Sequence, residues 1–217
     1  MCTGFADALT PIGRFVEWFQ PPTVVDVGVG GGRMGFLARE YGHHPWHPRA
    51  RGEGVHIVGI EGYEPYITDV QRALYDELLI GDALETLGRL ASEGRRFDLA
   101  IASDIIEHFE HADGLRLVES CLAVADVLLV ATPRGFFDQT SEDNELQEHR
   151  SYWPEHELLG AGATAVLHRG ESSVVLFGDR AIAGEYLRSR RPRPHEWVLP
   201  PAVRDALRSL KARGRAR

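Results

Sequence analysis

The stretch TVVDVGVGGGRMGFLAREYG, residues 23–42, limits the fold more than any other part of the chain. Five residues suited to a buried strand end in a cluster of glycines, and a helix-period pattern opens directly behind them. That is the first half of a β-α-β unit, and the same alternation then recurs. Strand-like runs fall at 55–60, 78–81, 97–103 and 126–132, with helical patterns at 65–75, 83–92 and 111–123 between them. A short helix at about 6–19 precedes the first strand, and HHPWHPRARGEG (43–54), with two prolines and no apolar period, reads as a loop. Each right-handed crossover lays its helix on the sheet, so the pattern predicts a doubly wound α/β fold around a mostly parallel sheet. Past the fifth strand the rhythm changes to a polar stretch (133–153) and a helix at about 154–160. ATAVLHRG and SSVVLFGD, separated by a short turn, then read as a C-terminal antiparallel hairpin, bringing the sheet to seven strands.

Charge and cysteine content narrow the function classes. The chain of 217 residues has a net charge of −8, and that figure hides an asymmetry. Residues 188–217 hold nine Arg and one Lys against two acids, a net +8, while residues 1–187 carry 14 basic and 30 acidic side chains, a net −16. The expected organisation is one domain over 1–187 and a basic tail over 188–217, in which Val203, Leu207 and Leu210 suggest a short helix near 201–212. An acidic body repels polyanions, so a nucleic-acid partner would have to be held by the tail. Cys2 and Cys121 are too few for a disulfide framework or a cysteine metal cluster. No apolar run approaches the ~18 residues that cross a membrane, and MCTGFADALT lacks a basic stretch followed by an apolar one. These features predict a cytoplasmic protein without a membrane partner.

The glycine loop after the first strand is where an open α/β sheet places a ligand. A dinucleotide fingerprint starting at Gly28 needs a small residue where Arg33 stands, and no acid lies ~20 residues on. A phosphate-binding P-loop fails as well, for want of Gly-Lys-Ser/Thr. What is present is Asp26-x-Gly28-x-Gly30-x-Gly32 at the end of the first strand, Glu61 at the end of the second, and Gly81-Asp82-Ala83 after the third. Over residues 20–178 this set resembles the class I S-adenosylmethionine-dependent methyltransferases. The resemblance implies a Rossmann-like methyltransferase fold and S-adenosyl-L-methionine as cofactor. Glu61 would then accept from the ribose diol, Asp82 beside Ala83 from the adenine amino group, Asp26 with the Gly28–Gly32 backbone would line the methionine side, and Asp104 past the fourth strand would also bind the cofactor. The implied activity is methyl transfer to an oxygen or nitrogen of a small-molecule acceptor. A module that binds the cofactor without turnover is the reading outside enzymes.

Past the fourth strand lies DIIEHF, residues 104–109. On a helical turn Asp104, Glu107 and His108 would share one face, beside the cofactor and facing the acceptor. Three readings stay open: a packed wall in which a carboxylate orients the imidazole, a general base at His108 with Glu107, or a metal site. The metal reading comes from a second resemblance, to the small-RNA 3′-end 2′-O-methyltransferases, which carry an acid-x-x-Glu-His turn and a later histidine close before a tryptophan. It implies Asp104, Glu107, His108 and His149 as ligands of a divalent ion, and RNA 3′ ends as the alternative acceptor. Here Asp replaces that family's first Glu, and no RNA-binding domain is visible. The polar stretch TPRGFFDQTSEDNELQEHRSYW offers Arg134, His149, Arg150, Tyr152 and Trp153 as acceptor-site candidates, since a long loop inside a compact domain is usually functional. The histidines of HHPWHP (43–48) read as part of a rigid turn rather than a second metal site.

Overall fold

A computed structural model describes residues 4–135, 139 and 144–190. Residues 136–138 and 140–143 of the polar stretch, and the expected tail helix with residues 191–217, lie outside the described residues. The chain divides into two compact units, 1–183 and 184–217, and the cavity described below belongs to the first.

Seven strands form one sheet: β1 (Thr23–Val27), β2 (His56–Glu61), β3 (Glu77–Ile80), β4 (Phe97–Ser103), β5 (Ala125–Pro133), β6 (Ala165–Arg169) and β7 (Ser172–Gly178). Their order is β3-β2-β1-β4-β5-β7-β6. The first five run parallel, and β7 pairs antiparallel with both β5 and β6. Winding proceeds outward from β1 in one direction through β2 and β3, and from β4 in the other through β5. The reversal lies between β1 and β4, and a crevice opens there past the carboxyl ends of the strands. The central strands are buried on both faces, as parallel strands are: Val24, Val25 and Val27 of β1 and Leu99, Ala100 and Ile101 of β4 are all fully covered.

The helices that cover the sheet are α1 (Leu9–Phe19), α2 (Arg33–Tyr41), α3 (Asp69–Leu74), α4 (Ala83–Ser92), α5 (His111–Val124) and α6 (Glu155–Gly160), and α7 (Arg180–Ser189) follows the hairpin. In α4, Ala83, Thr86, Leu87 and Leu90 are buried at helical spacing, and the Asp82 carboxylate caps its N-terminus. Among the described residues no helix is long and apolar enough to cross a membrane.

Two expectations need correction. The single helix at 65–75 is a 3₁₀ turn (Glu64–Tyr66) followed by α3, because Thr68 is extended and restarts the helix through a capping box with Gln71. DIIEHF is not one helical turn either. Asp104 is left-handed at φ 54°, Ile105 is non-helical, and only Ile106–His108 forms a 3₁₀ turn. Asp104 is thereby detached from the face that carries Glu107 and His108.

Candidate functional site

A cavity of about 870 Å³ lies over the β1–β4 reversal. Its first wall is the glycine loop. The Gly28 and Val29 N–H groups both donate to the Ile60 carbonyl, at 2.9 and 3.2 Å, which ties the loop to the end of β2. Gly28 holds φ 85°, and a Cβ there would press on Ile105, so the position requires glycine twice over. Glu61, the last residue of β2, is buried, and each oxygen accepts one backbone N–H at 2.8 Å, Oε2 from Gly30 and Oε1 from Tyr63. A carboxylate oxygen has a second lone pair, so Glu61 can still accept from hydroxyl groups in the cavity. Asp82 and Ala83 line the same wall. Asp82 Oδ1 is occupied by the Glu85 N–H at 2.9 Å, so the side chain is a helix cap as well as a wall residue.

The structure puts Asp26 and Gly32 behind the loop, outside the cavity wall. Asp26 Oδ2 accepts from the Tyr75 hydroxyl at 2.5 Å, and that hydroxyl accepts from the Gly35 N–H at 3.1 Å. Burial pushes the Asp26 carboxyl up to about 7, and the nearby Glu61 charge adds to the effect. Gly32 caps α2 at φ 80° and faces Leu74. Both residues shape the loop from below.

The opposite wall is built by Glu107, His108 and Phe109 and, among the described residues of the polar stretch, by Gln139, Asn144, His149 and Arg150. Glu107 is fully desolvated, with its Oε2 accepting from Thr132 Oγ1 at 3.0 Å. Burial, with the charge of Asp104 adding, pushes its carboxyl up to about 8. The His108 Nδ1 lies 3.0 Å from the Glu148 carbonyl, which can only accept. The proton therefore resides on Nδ1, and Nε2 offers a lone pair. Burial holds the His108 pKa below the usual imidazole value, which keeps the ring neutral. The His149 ring centroid is 5.0 Å from that of His108. Glu107, His108 and His149 each present one ligand atom within 4.8 Å of the others. Asp104 is outside this group. Its Oδ2 faces Arg33 at 3.4 Å and the Ser103 hydroxyl at 3.1 Å, a consequence of its left-handed backbone.

Of the acceptor candidates, His149 and Arg150 line the cavity, whereas Arg134, Tyr152 and Trp153 do not. Trp153 is core: 1% exposed, it donates through Nε1 to Ile106 O and Ser151 Oγ at 3.2 and 2.8 Å, and His111 stacks on it at 4.2 Å. A Cβ on Gly114 would overlap its ring. The Arg150 and Ser151 N–H groups both donate to the Glu107 carbonyl, at 2.8 and 3.1 Å, so residues 150–153 clamp the 3₁₀ turn from behind. Tyr152 donates to Arg134 O at 2.7 Å away from the cavity.

Sequence reasoning missed the N-terminal segment and Arg33. Gly4, Phe5 and Arg33 line the cavity, and Arg33 Nη1 donates to the Gly4 carbonyl at 2.9 Å. Three residues on, Asp7 Oδ2 accepts from the Glu171 and Ser172 N–H groups, at 2.7 and 3.2 Å, and meets His168 Nε2 at 2.9 Å. These partners lie more than 160 residues away from Asp7, and no local pattern announces them. Arg33 left one trace, as the residue that spoils a dinucleotide fingerprint.

No protein-family model and no curated protein matches the sequence. Solved structures do match in shape. The N-terminal domain of EvdMO1, crystallised in the presence of SAH and D-fucose, is 18% identical with a TM-score of 0.57, over 82% of this chain and 85% of that one. An O-methyltransferase family protein from Burkholderia thailandensis is 13% identical with a TM-score of 0.55, over 78% of this chain and 54% of that one. The mitomycin 7-O-methyltransferase MmcR is 16% identical with a TM-score of 0.51, over 80% and 55% respectively. Strand order, antiparallel terminal hairpin and these likenesses agree: the chain has the Rossmann-like methyltransferase fold.

Proposed function

We infer that the chain is an S-adenosylmethionine-dependent methyltransferase acting on an oxygen or nitrogen of a small molecule. The observation that carries this reading is Glu61, a buried carboxylate fixed by two backbone N–H groups beside a glycine loop, in a cavity where the cation next to the loop, Arg33, is engaged by the Gly4 carbonyl and Asp104. A ribose diol offers two hydroxyl protons to such a carboxylate, and Asp82 lies where an adenine amino group can donate to it. The neighbours named above support the same ligand, one having been crystallised with SAH and two being called O-methyltransferases. The bound cofactor supplies an electrophilic methyl group. The protein's task is to align the acceptor with it and to exclude water, which the apolar Phe5 and Phe109 in the cavity lining support. His108 fits the part of general base, because its Nδ1 is spent on Glu148 O and its Nε2 lone pair is available for an acceptor proton.

A second reading is favoured by the cluster of Glu107, His108 and His149. One carboxylate and two imidazoles form a mixed donor set that suits Mn, Fe or Co, and the Glu148 carbonyl holds the His108 Nδ1 as carbonyls commonly hold the far nitrogen of a metal-bound histidine. An ion there would polarise an acceptor hydroxyl. The four-ligand version that includes Asp104 loses that residue to Arg33. RNA 3′ ends as acceptor would require the basic tail, since the body is acidic.

The test incubates the protein with methyl-labelled S-adenosylmethionine and either a metabolite extract or an RNA pool, with and without a chelator. Chelator-insensitive label on a small molecule is the expected result. Chelator-sensitive label would move the reading to a metal, label on RNA 3′ ends would move the acceptor, and cofactor binding without transfer to any component would favour a non-catalytic module.

A further inference from the structure

The segment from Gly4 to Ala8 reaches the cavity without belonging to the sheet or to an α-helix. Gly4 and Phe5 line the cavity, and a 3₁₀ turn, Ala6–Ala8, leads from them into α1. The turn is weakly built, since the Ala8 N–H reaches the Phe5 carbonyl only at 3.4 Å. From α1 onward the chain is firmly seated, with Ile12, Phe15 and Val16 fully covered. The residues before it are held at both ends by polar contacts to distant parts of the chain. Arg33 Nη1 donates to the Gly4 carbonyl at one end, and the Asp7 side chain docks on the β6–β7 hairpin at the other.

The tip of that hairpin is shaped to receive a carboxylate. Asp7 Oδ2 accepts from the Glu171 and Ser172 N–H groups and lies 2.9 Å from His168 Nε2. A carboxylate can only accept, so His168 carries a proton on that nitrogen, and three donors converge on one oxygen. In β6, Val166 pairs with Val175 and His168 with Val174, which leaves Leu167 as the extra residue of a bulge. Bulges re-aim strand side chains, and here the side chain after the bulge is the one that meets Asp7. At Gly170 a Cβ would overlap both the Asp7 carboxylate and the His168 ring. Arg134, just past β5, braces the tip by donating its N–H to the Glu171 carbonyl at 2.9 Å.

A segment tied down mainly by side chains opens at lower cost than the hydrogen-bonded ladders around it. The neighbouring walls are fixed differently: backbone bonds tie the glycine loop to β2, and the Arg150 and Ser151 N–H groups tie down the turn that carries His108. We propose that Gly4–Ala8 is a strap, latched by Asp7 in the hairpin tip, that lifts to let the S-adenosyl ligand enter and leave. Latched, it sets Phe5 into the cavity lining. Asp7 is a positioning residue, since it acts through Phe5 and does not itself line the cavity. This rests on the reading of the cavity as an S-adenosylmethionine site and adds how the bound ligand is released.

The test measures release of S-adenosylhomocysteine by stopped-flow displacement, together with hydrogen exchange at the Glu171 and Ser172 amides. Asp7→Ala should speed release about 10- to 100-fold, as expected for losing hydrogen bonds to a charged acceptor, and should raise exchange at both amides. Asp7→Asn keeps an acceptor oxygen for the two N–H groups and should fall between Asp7→Ala and wild type. Phe5→Ala should speed release while leaving both amides protected, which separates the strap from its latch. Gly170→Ala, which crowds Asp7 out of the tip, serves where Asp7→Ala fails to fold. Unchanged release in folded Asp7→Ala, or unchanged exchange at both amides, would overturn the strap while leaving the cofactor reading intact. Wild type that binds no S-adenosylhomocysteine would remove that reading and the strap with it.

Discussion

At the glycine-loop end of the cavity, Glu61 is fixed by N–H groups of residues that leave β1 and β2, and Asp82 by the first turn of α4. At the other end, His108 hangs from a three-residue 3₁₀ turn, and its orientation comes from the Glu148 carbonyl forty residues later. The first half is preorganised by regular secondary structure, so its geometry is settled as soon as the sheet forms. The second half depends on tertiary clamps, the Arg150 and Ser151 N–H groups on Glu107 O and Trp153 beneath them. On the proposed reading, the first half holds the cofactor and the second meets the acceptor, so damage to one half should leave the other's function standing.

The sharpest way to separate the halves is to damage each and read both functions. His108→Gln is expected to lower turnover by about 10²- to 10⁴-fold, the usual worth of a general base, with S-adenosylhomocysteine affinity unchanged in calorimetry. Equal losses in binding and turnover would mean that the halves are one unit. Glu61→Ala should do the reverse of His108→Gln, weakening S-adenosylhomocysteine by about a hundredfold or more, since a charged acceptor to the diol is lost and the loop N–H of Gly30 is left unpaired.

Thermal and chemical unfolding probe the clamp. Trp153→Ala removes a fully buried indole and should cost about 3–5 kcal/mol, with acceptor turnover failing at temperatures where the cofactor still binds. If turnover survives at full rate in the folded variant, the clamp does not position His108.

A smaller effect belongs to Asp26. Its folded-state pKa of about 7 is raised above the ordinary value of 3.8, so the folded state holds the proton that the unfolded state releases. Stability should therefore be greatest below about pH 4 as far as this group is concerned, fall as pH rises towards 7, and level off beyond, by an amount on the order of a few kcal/mol. Urea titrations at pH 5 and pH 7.5 should show this fall in wild type and a flatter profile in Asp26→Asn, which can still accept from Tyr75. An unchanged profile in the variant would assign the slope to other groups.

The contrast between the halves also explains what could be read from the sequence. The Asp-x-Gly-x-Gly-x-Gly spacing, Glu61 and Asp82 are tied to strand ends, and strand ends follow from local hydrophobic periodicity. The seven strands and the hairpin were legible for the same reason. The structure places Asp26 behind its loop because Tyr75 claims it, a contact across 49 residues that no spacing rule shows. Asp104, Gly4 and Arg33 converge through a left-handed backbone and a long-range carbonyl bond, and Trp153 goes to the core because Gly114 leaves room for it. Aromatic and charged residues in a polar loop look alike in sequence, and only packing divides those that line the cavity, His149 and Arg150, from those that do not.

On the proposed function, the glycine-loop half of the cavity recognises an S-adenosyl ligand. Calorimetric titration of the full chain with S-adenosylhomocysteine, and separately with NAD, tests it most directly. One-to-one binding of S-adenosylhomocysteine and none of NAD is expected; binding of NAD without S-adenosylhomocysteine would contradict the roles given to Glu61 and Asp82.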